Sequence, residues 1–167
     1  GQQALDKHVD TTKNGAYSLA LLLFGVLSHV PTAHERRSLL FFLRKHVDQQ
    51  YGRLVLSVPN KARRFRRLQH NTNSCDVSYS RTINQQTVTF TYHLYNVESI
   101  TAELTQAGLE VVSIQAESVL PESWVTKHPL VGWLDKGISR IIPANWGYGI
   151  LVSARPIAIA HNNTEKS

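Results

Sequence analysis

The chain contains no methionine, and its 167 residues include a single cysteine, Cys75. The missing methionine leads us to expect a processed product or a part of a longer protein. A lone cysteine excludes a disulfide within the chain and a zinc site built on several cysteines. This cysteine usage fits a reducing compartment, and we expect a cytoplasmic protein.

Long hydrophobic runs are also missing. The longest apolar stretch, residues 16–30, has 15 residues, whereas a membrane-spanning helix needs roughly 20. We therefore expect no membrane span. Apolar residues make up 42% of the chain and charged residues 18%, which is typical of a globular domain with a sizeable core.

Acidic residues are fewer than basic ones, and the excess is local. The net charge is +6, and five of the 18 Lys and Arg residues lie within Lys61–Arg67. Four arginines surround Phe65 there, a mixture that suits phosphates held by guanidinium groups and a base stacked on the ring. Either Arg63 and Arg64 contact a substrate such as RNA, or the segment is a solvated surface helix.

The first half of the chain has the pattern of a strand, a helix and a second strand. Residues 17–24 are almost wholly apolar, as in strands that are covered on both faces. Thr32 and Glu35 have the spacing of a capping box, and the helix that follows has an apolar face. Residues 53–58 form the second apolar segment. These lengths predict a βαβ unit with parallel strands.

Ligands of parallel sheets bind beyond the carboxyl ends of the strands. In this chain that rule places the candidate site at residues 24–29 and at Asn60. His29 could border the reacting groups or only cap the following turn. Asn60 could contact a substrate or only form the turn after Pro59.

The second half of the chain predicts antiparallel strands. Alternating apolar and polar residues at 77–79 and 88–94 indicate two strands that flank residues 84–86. Asn96 has the position of an N-cap, and Gly108 that of the residue after the helix. Further strands are expected at residues 109–114 and 146–154, with a short helix at 130–142.

Within this second half, Tyr92 and His93 could bind a substrate or accept its proton, or they could be ordinary strand residues. Histidines are numerous, but none has a partner at metal-ligand spacing, and we expect no metal. No repeat or linker divides the chain. We predict one partial domain over residues 1–167, with a loop at 1–15, a folded core at 16–156 and a tail at 157–167.

Two sequences, FGVLSHV at residues 24–30 and GRLVLSVPN at 52–60, resemble the carboxyl-terminal half of class I S-adenosylmethionine-dependent methyltransferases. Tyr92–Tyr95 is similar to a segment of the small-molecule and tRNA-uridine branches. The resemblance implies an α/β, Rossmann-like sheet that is partial here. Its parallel strands are followed by a terminal antiparallel pair, with the last strand inserted between the second parallel strand and the strand at 109–114.

The resemblance also implies a cofactor and its contacts. S-adenosylmethionine is expected at Phe24, Gly25 and Val26, with Ala4 at the end of the adenine-side loop. His29, Tyr92 and His93 are the candidate catalytic residues.

The family's Gly-rich loop and its ribose-binding acidic residue have no counterpart in the chain. We therefore expect the isolated chain to bind the cofactor weakly or not at all. The methyl acceptor, a small molecule or RNA, stays open. Two alternatives to methyl transfer also stay open: a non-catalytic or partner-dependent domain, and an RNA-binding module that uses Lys61–Arg67.

Overall fold

A computed structural model describes residues 17–69, 74–118 and 142–157. In chain order the elements are β1 (Leu19–Leu22), a first 3₁₀ turn (Val26–His29), α1 (Ala33–His46), β2 (Arg53–Pro59), α2 (Arg66–Gln69), β3 (Asp76–Ile83), β4 (Gln86–His93), α3 (Val97–Gln106), β5 (Leu109–Ser118), a second 3₁₀ turn (Ala144–Trp146) and β6 (Gly149–Pro156). The predicted loop at 1–15, Ala4, residues 130–141 of the predicted helix and residues 158–167 of the predicted tail lie outside the described residues.

Four strands form one sheet in the order β1-β2-β6-β5. β1 runs parallel to β2, and β6 runs antiparallel to both β2 and β5. The last strand is therefore inserted between β2 and β5. The predicted α/β sheet, with parallel strands followed by a terminal antiparallel pair, is confirmed.

Two strands are shorter at their ends than the sequence predicted. β1 ends at Leu22 because the backbone leaves the extended region at Phe24, whose φ is 59°. β6 begins at Gly149, not at Trp146, because Ala144–Trp146 forms a 3₁₀ turn before it. Trp146 is 64% exposed in that turn, so its apolar ring does not contribute to the core.

Both predicted helix starts are confirmed with their capping contacts. The Thr32 hydroxyl accepts from the backbone N–H of Glu35, and the Glu35 carboxylate accepts from the backbone N–H of Thr32. Asn96 and Ser99 exchange the same pair of hydrogen bonds at the start of α3. Gly108 follows α3 with a φ of 75°, where glycine avoids the strain of a left-handed residue.

Helices α1 and α3 cover one face of the sheet. The fully buried side chains of this core come from every second residue of the central strands, with Leu54 and Leu56 on β2 and Ile150 and Val152 on β6. β1 lies at the edge. Its Leu19 and Leu21 point away from this core and are 51% and 55% exposed.

β3 and β4 form a separate hairpin. Its two-residue turn places Asn84 and Gln85 at positive φ, as type I′ turns require. Successive strand residues alternate between the hairpin's two faces. One face carries Tyr79, Phe90 and Tyr92, and the other is mostly Ser and Thr and ends at His93.

Candidate functional site

The turn after β1 is fixed to the neighbouring strand through Ser57. The backbone N–H of Phe24 donates to the Ser57 hydroxyl oxygen at 2.8 Å, and the N–H of Gly25 donates to the Ser57 carbonyl at 3.2 Å. Ser57 is fully buried on β2. This serine was not predicted as a site residue, although it is the one polar residue within the apolar sequence LVLSV. The turn therefore has a defined shape at the carboxyl edge of the parallel pair.

Phe24 is the unusual residue of this turn. Its φ of 59° is left-handed, which costs a residue with a Cβ roughly 1–2 kcal/mol. Its ring is 82% exposed, so packing within the described chain does not offset that cost. A large aromatic ring that is held in a strained turn and left in solvent is available to a ligand.

The next residue must be glycine for two reasons. Gly25 has a φ of 70°, and a Cβ at this position would overlap the phenolic oxygen of Tyr92 on β4. The hairpin thus lies directly against the turn. Gly25 and Tyr92, which were predicted separately as cofactor and catalytic residues, are in contact.

His29 ends the 3₁₀ turn and packs against the same tyrosine. The two ring centroids lie 4.3 Å apart and the rings are nearly perpendicular, while the Phe90 ring lies 6.3 Å from His29. His29 is exposed, whereas Tyr92 is 6% exposed. Two of the three predicted catalytic residues are therefore brought together, with the imidazole on the solvent side.

The adjacent Ser28 has an unsatisfied hydroxyl. Its side chain is buried, and its Oγ has no hydrogen-bond partner among the described residues. Leaving such a group without a partner costs about 1–3 kcal/mol. An orphaned hydroxyl within the turn that resembles the cofactor turn is the kind of polar atom that a bound ligand or water satisfies.

His93 lies on the opposite face of the hairpin from Tyr92. Its Nδ1 is 2.6 Å from a carboxylate oxygen of Asp76, its cross-strand neighbour, and its ring packs edge-on against Tyr95. The structure therefore does not group His93 with His29. The catalytic roles of all three residues stay predictions.

Asn60 serves the chain's own backbone in this structure. It is 1% exposed, and its amide NH₂ donates to the carbonyls of Asn145 and Gly147 at 2.9 and 2.7 Å. Its side-chain oxygen accepts from the backbone N–H of Ala62 at 3.0 Å. These contacts give Asn60 the turn-forming role that was weighed beside substrate contact.

The two arginines predicted to bind substrate follow Asn60 at the carboxyl end of β2. The Arg63 guanidinium lies 5.2 Å from the centre of the Tyr148 ring. The backbone N–H of Arg64 donates to the Asn60 carbonyl at 2.9 Å. Both residues are half-buried next to the site edge, and substrate contact by either stays a prediction.

A buried ionic network, which was not predicted, lies behind the turn. Arg36 on α1 donates to Glu103 on α3 at 3.1 Å and to the backbone carbonyl of Val30 at 3.3 Å. The Tyr95 hydroxyl donates to the other oxygen of Glu103 at 2.8 Å. Burial and the Glu103 charge raise the pKa of Tyr95, which keeps its hydroxyl a donor. The network joins both helices to the residues that follow His29.

A sequence signal for this network existed. Arg36 lies four residues before Leu40 and therefore on the apolar face of α1, and Glu103 follows Ile100 by three residues on the inner face of α3. A charged residue on each of two facing apolar stripes predicts a buried pair.

No three His, Cys, Asp or Glu side chains lie close enough to hold a metal ion within the described ranges. Likewise, no described helix is long and apolar enough to cross a membrane.

No protein-family model matches the chain, and neither does any curated protein. Solved structures do match. The CcbJ methyltransferase from Streptomyces caelestis aligns with a TM-score of 0.53 and 12% identity over 87% of this chain and 59% of its own. An S-adenosylmethionine-dependent methyltransferase from Clostridium acetobutylicum aligns with a TM-score of 0.53 and 7% identity, over 87% of this chain and 61% of its own. A third such methyltransferase, from Bacteroides fragilis and in complex with S-adenosyl-L-homocysteine, aligns with a TM-score of 0.51 and 10% identity. This alignment covers 89% of this chain and 52% of the other.

These similarities establish the fold. The described sheet and its two covering helices have a class I methyltransferase-like arrangement, as the sequence resemblance implied. The chain spans between about half and three fifths of the length of each of these three structures. At such low identities the likeness concerns architecture alone.

Proposed function

We propose that the intact protein transfers a methyl group from S-adenosylmethionine, and that the turn Phe24–His29 lies between cofactor and acceptor. The observation that carries the proposal is the Phe24 ring, 82% exposed on a left-handed residue at the carboxyl edge of a methyltransferase-like sheet. The orphaned Ser28 hydroxyl in the same turn fits a ligand-binding role. These features suit a cofactor held against Phe24, Gly25 and Val26.

The chain's residues would mainly position the reactants. S-adenosylmethionine, when bound, supplies a methyl group on a positively charged sulfur, so the protein has to align an acceptor with it. Tyr92 fixes the turn by packing on Gly25, and His29 presents its imidazole beside it. Because the His29 imidazole is exposed, its free ring nitrogen can take a proton from an acceptor that must lose one.

The proposal requires a larger domain than the described residues. Among the described strands, β1 forms an edge of the sheet, and its Leu19 and Leu21 are about half exposed. Parallel strands are normally covered and paired. A further strand beside β1 would cover this edge and bring the Gly-rich loop that the chain lacks. That strand could belong to the same protein or to a partner, the latter being the partner-dependent alternative.

The test of the site is a substitution of His29 in the intact protein. His29→Ala should lower turnover at least tenfold, which is a barrier increase of about 1.4 kcal/mol. The free energy of unfolding should fall by less than the roughly 2–5 kcal/mol of a core deletion. His34→Ala, on the exposed side of α1, is the matched control and should change neither. Normal turnover with a large loss of melting temperature would make His29 a structural residue.

Cofactor binding is tested separately by calorimetry. The 167-residue chain alone should show no tight S-adenosylmethionine binding, because it lacks the Gly-rich loop. The intact protein should bind it, and Phe24→Ala should weaken the affinity. An intact protein that binds no cofactor would support the non-catalytic alternative.

A further inference from the structure

The segment Lys61–Arg67 has a fixed shape. The backbone N–H groups of Arg63 and Arg64 both donate to the Asn60 carbonyl, at 3.1 and 2.9 Å. The Gln69 side-chain amide closes the segment by donating to the carbonyls of Lys61 and Arg64, each at 2.7 Å. The positive charges of this segment are therefore carried on an ordered backbone.

Phe65 turns the segment's apolar side inward. Its φ is 56°, and its ring stacks on Tyr79 at 5.6 Å and packs against Tyr92 at 5.6 Å. These two ring contacts offset the strain of the left-handed backbone. The ring is thus an anchor to the hairpin, which differs from the base-stacking role considered for it. Arg66 and Arg67 remain exposed beside it.

The hairpin extends this positive surface. The Arg81 guanidinium lies 5.6 Å from the centre of the Tyr79 ring, the same ring that holds Phe65. We call Arg63, Arg66, Arg67 and Arg81 the basic surface. In the described parts of the chain none of these four arginines forms an ion pair with a carboxylate.

Arginines that share a surface without carboxylate partners repel one another and are stabilised by an external polyanion. Guanidinium groups match phosphate oxygens in geometry and charge. α2 has only four residues, too short to fill the major groove of a duplex. A flexible single strand can instead follow a positively charged surface with its phosphates. We propose that the basic surface binds the phosphates of a single-stranded nucleic acid.

The surface adjoins the turn after β1. Tyr92 contacts Phe65 on one side and His29 on the other, so one ring separates the basic segment from the candidate reaction site. Binding itself does not depend on methyl transfer, and it can be measured on the chain without any cofactor.

The test is fluorescence anisotropy of the 167-residue chain with a labelled oligouridylate of about 12 nucleotides, within the site sizes of single-strand binders. Affinity should fall steeply as salt rises from about 50 to 200 mM. Replacing Arg66 and Arg67 by Ala should make the log–log salt slope shallower by about 1.4, because each phosphate on a single strand contributes about 0.7. Arg81→Gln should lower the slope by about 0.7.

The matched control removes two charges elsewhere. Arg37→Ala with Lys45→Ala acts on exposed positions of α1 and should leave the slope unchanged. Equal slopes in the two double variants would overturn the proposal. Binding of a duplex as tight as that of the single strand would also overturn it, as would equal binding of a polyglutamate peptide.

Discussion

The main sheet and the β3–β4 hairpin are held in different ways. The sheet and its helices bury a continuous, mostly aliphatic core that includes Leu40, Leu54 and Leu104, all fully buried. Among the described residues, the buried cluster at the hairpin consists of Val77, Tyr92 and the adjoining Leu94. The hairpin is attached through rings that pack on Phe65 and on the His29 turn. Burial of area stabilises the sheet, whereas a few specific ring contacts fix the hairpin.

This difference links the hairpin to the site. Tyr92 holds the hairpin by packing on Phe65, which lies within the basic segment. The same Tyr92 ring contacts Gly25 and His29 in the candidate turn. A change that loosens the hairpin therefore alters the site before it affects the sheet. Changes in the core of the sheet should instead lower global stability.

The largest effect is expected behind the turn, at the pair that joins α1 to α3. Arg36→Ala leaves Glu103 buried without its positive partner, and breaking such a pair costs about 3–5 kcal/mol. Urea unfolding followed by circular dichroism measures the loss. Arg37→Ala, one residue along, removes only an exposed hydrogen bond to Gln106 and should change stability by less than about 0.5 kcal/mol. A loss at Arg36 no larger than at Arg37 would show that the network does not hold the helices together.

The sheet could be predicted from the sequence because its signals are local. Apolar segments at 17–24 and 53–58 and the capping residues Thr32 and Asn96 each specify structure within a few neighbours. The ends of β1 and β6 were misplaced because turns at Phe24 and Ala144–Trp146 override apolar composition.

The site was predictable only in part. His29 and Tyr92 were both identified, but their contact depends on how the hairpin docks, which no periodicity encodes. The buried role of Asn60 likewise depends on the distant carbonyls of Asn145 and Gly147. Residue types indicate chemistry, whereas long-range packing decides which of them meet.

The docking of the hairpin on the turn can be broken at Gly25. Gly25→Ala should lower the free energy of unfolding by at least about 1–2 kcal/mol, because the residue is left-handed and its Cβ meets the Tyr92 hydroxyl. Adding Tyr92→Phe removes that oxygen and should restore part of the loss. Thermal melts of the single and double variants measure this. If Gly25→Ala lowers stability equally with and without Tyr92→Phe, backbone strain and not the overlap with Tyr92 is responsible.

A pH-dependent effect is expected from Tyr95, on the main-sheet side. Its pKa is raised above 10.0 by burial, so above about pH 10 the unfolded chain releases a proton that the folded chain keeps. Stability should therefore fall with rising pH, by at most about 1.4 kcal/mol per unit for this group. At neutral pH, Tyr95→Phe should lower the free energy of unfolding by about 1 kcal/mol, because the hydrogen bond to Glu103 is lost. At alkaline pH, this variant's stability in urea titrations should decline less steeply than that of the parent. Tyr51→Phe is the control: its ring is 73% exposed, and the stability of this variant should fall with pH as steeply as that of the parent.

The smallest stability effect should come from Phe24, and it has the opposite sign. Phe24→Gly removes left-handed strain of roughly 1–2 kcal/mol and adds unfolded-state entropy worth roughly 0.5–1 kcal/mol, so stability should rise by up to about 1.5 kcal/mol. Phe24→Leu keeps the strain and should leave stability unchanged. In the intact protein both changes remove the exposed ring and should weaken S-adenosylmethionine binding in calorimetry. If Phe24→Gly makes the protein more stable while weakening cofactor binding, the strain at Phe24 serves binding. Unchanged affinity in both variants would instead show that the Phe24 ring has no role at the site.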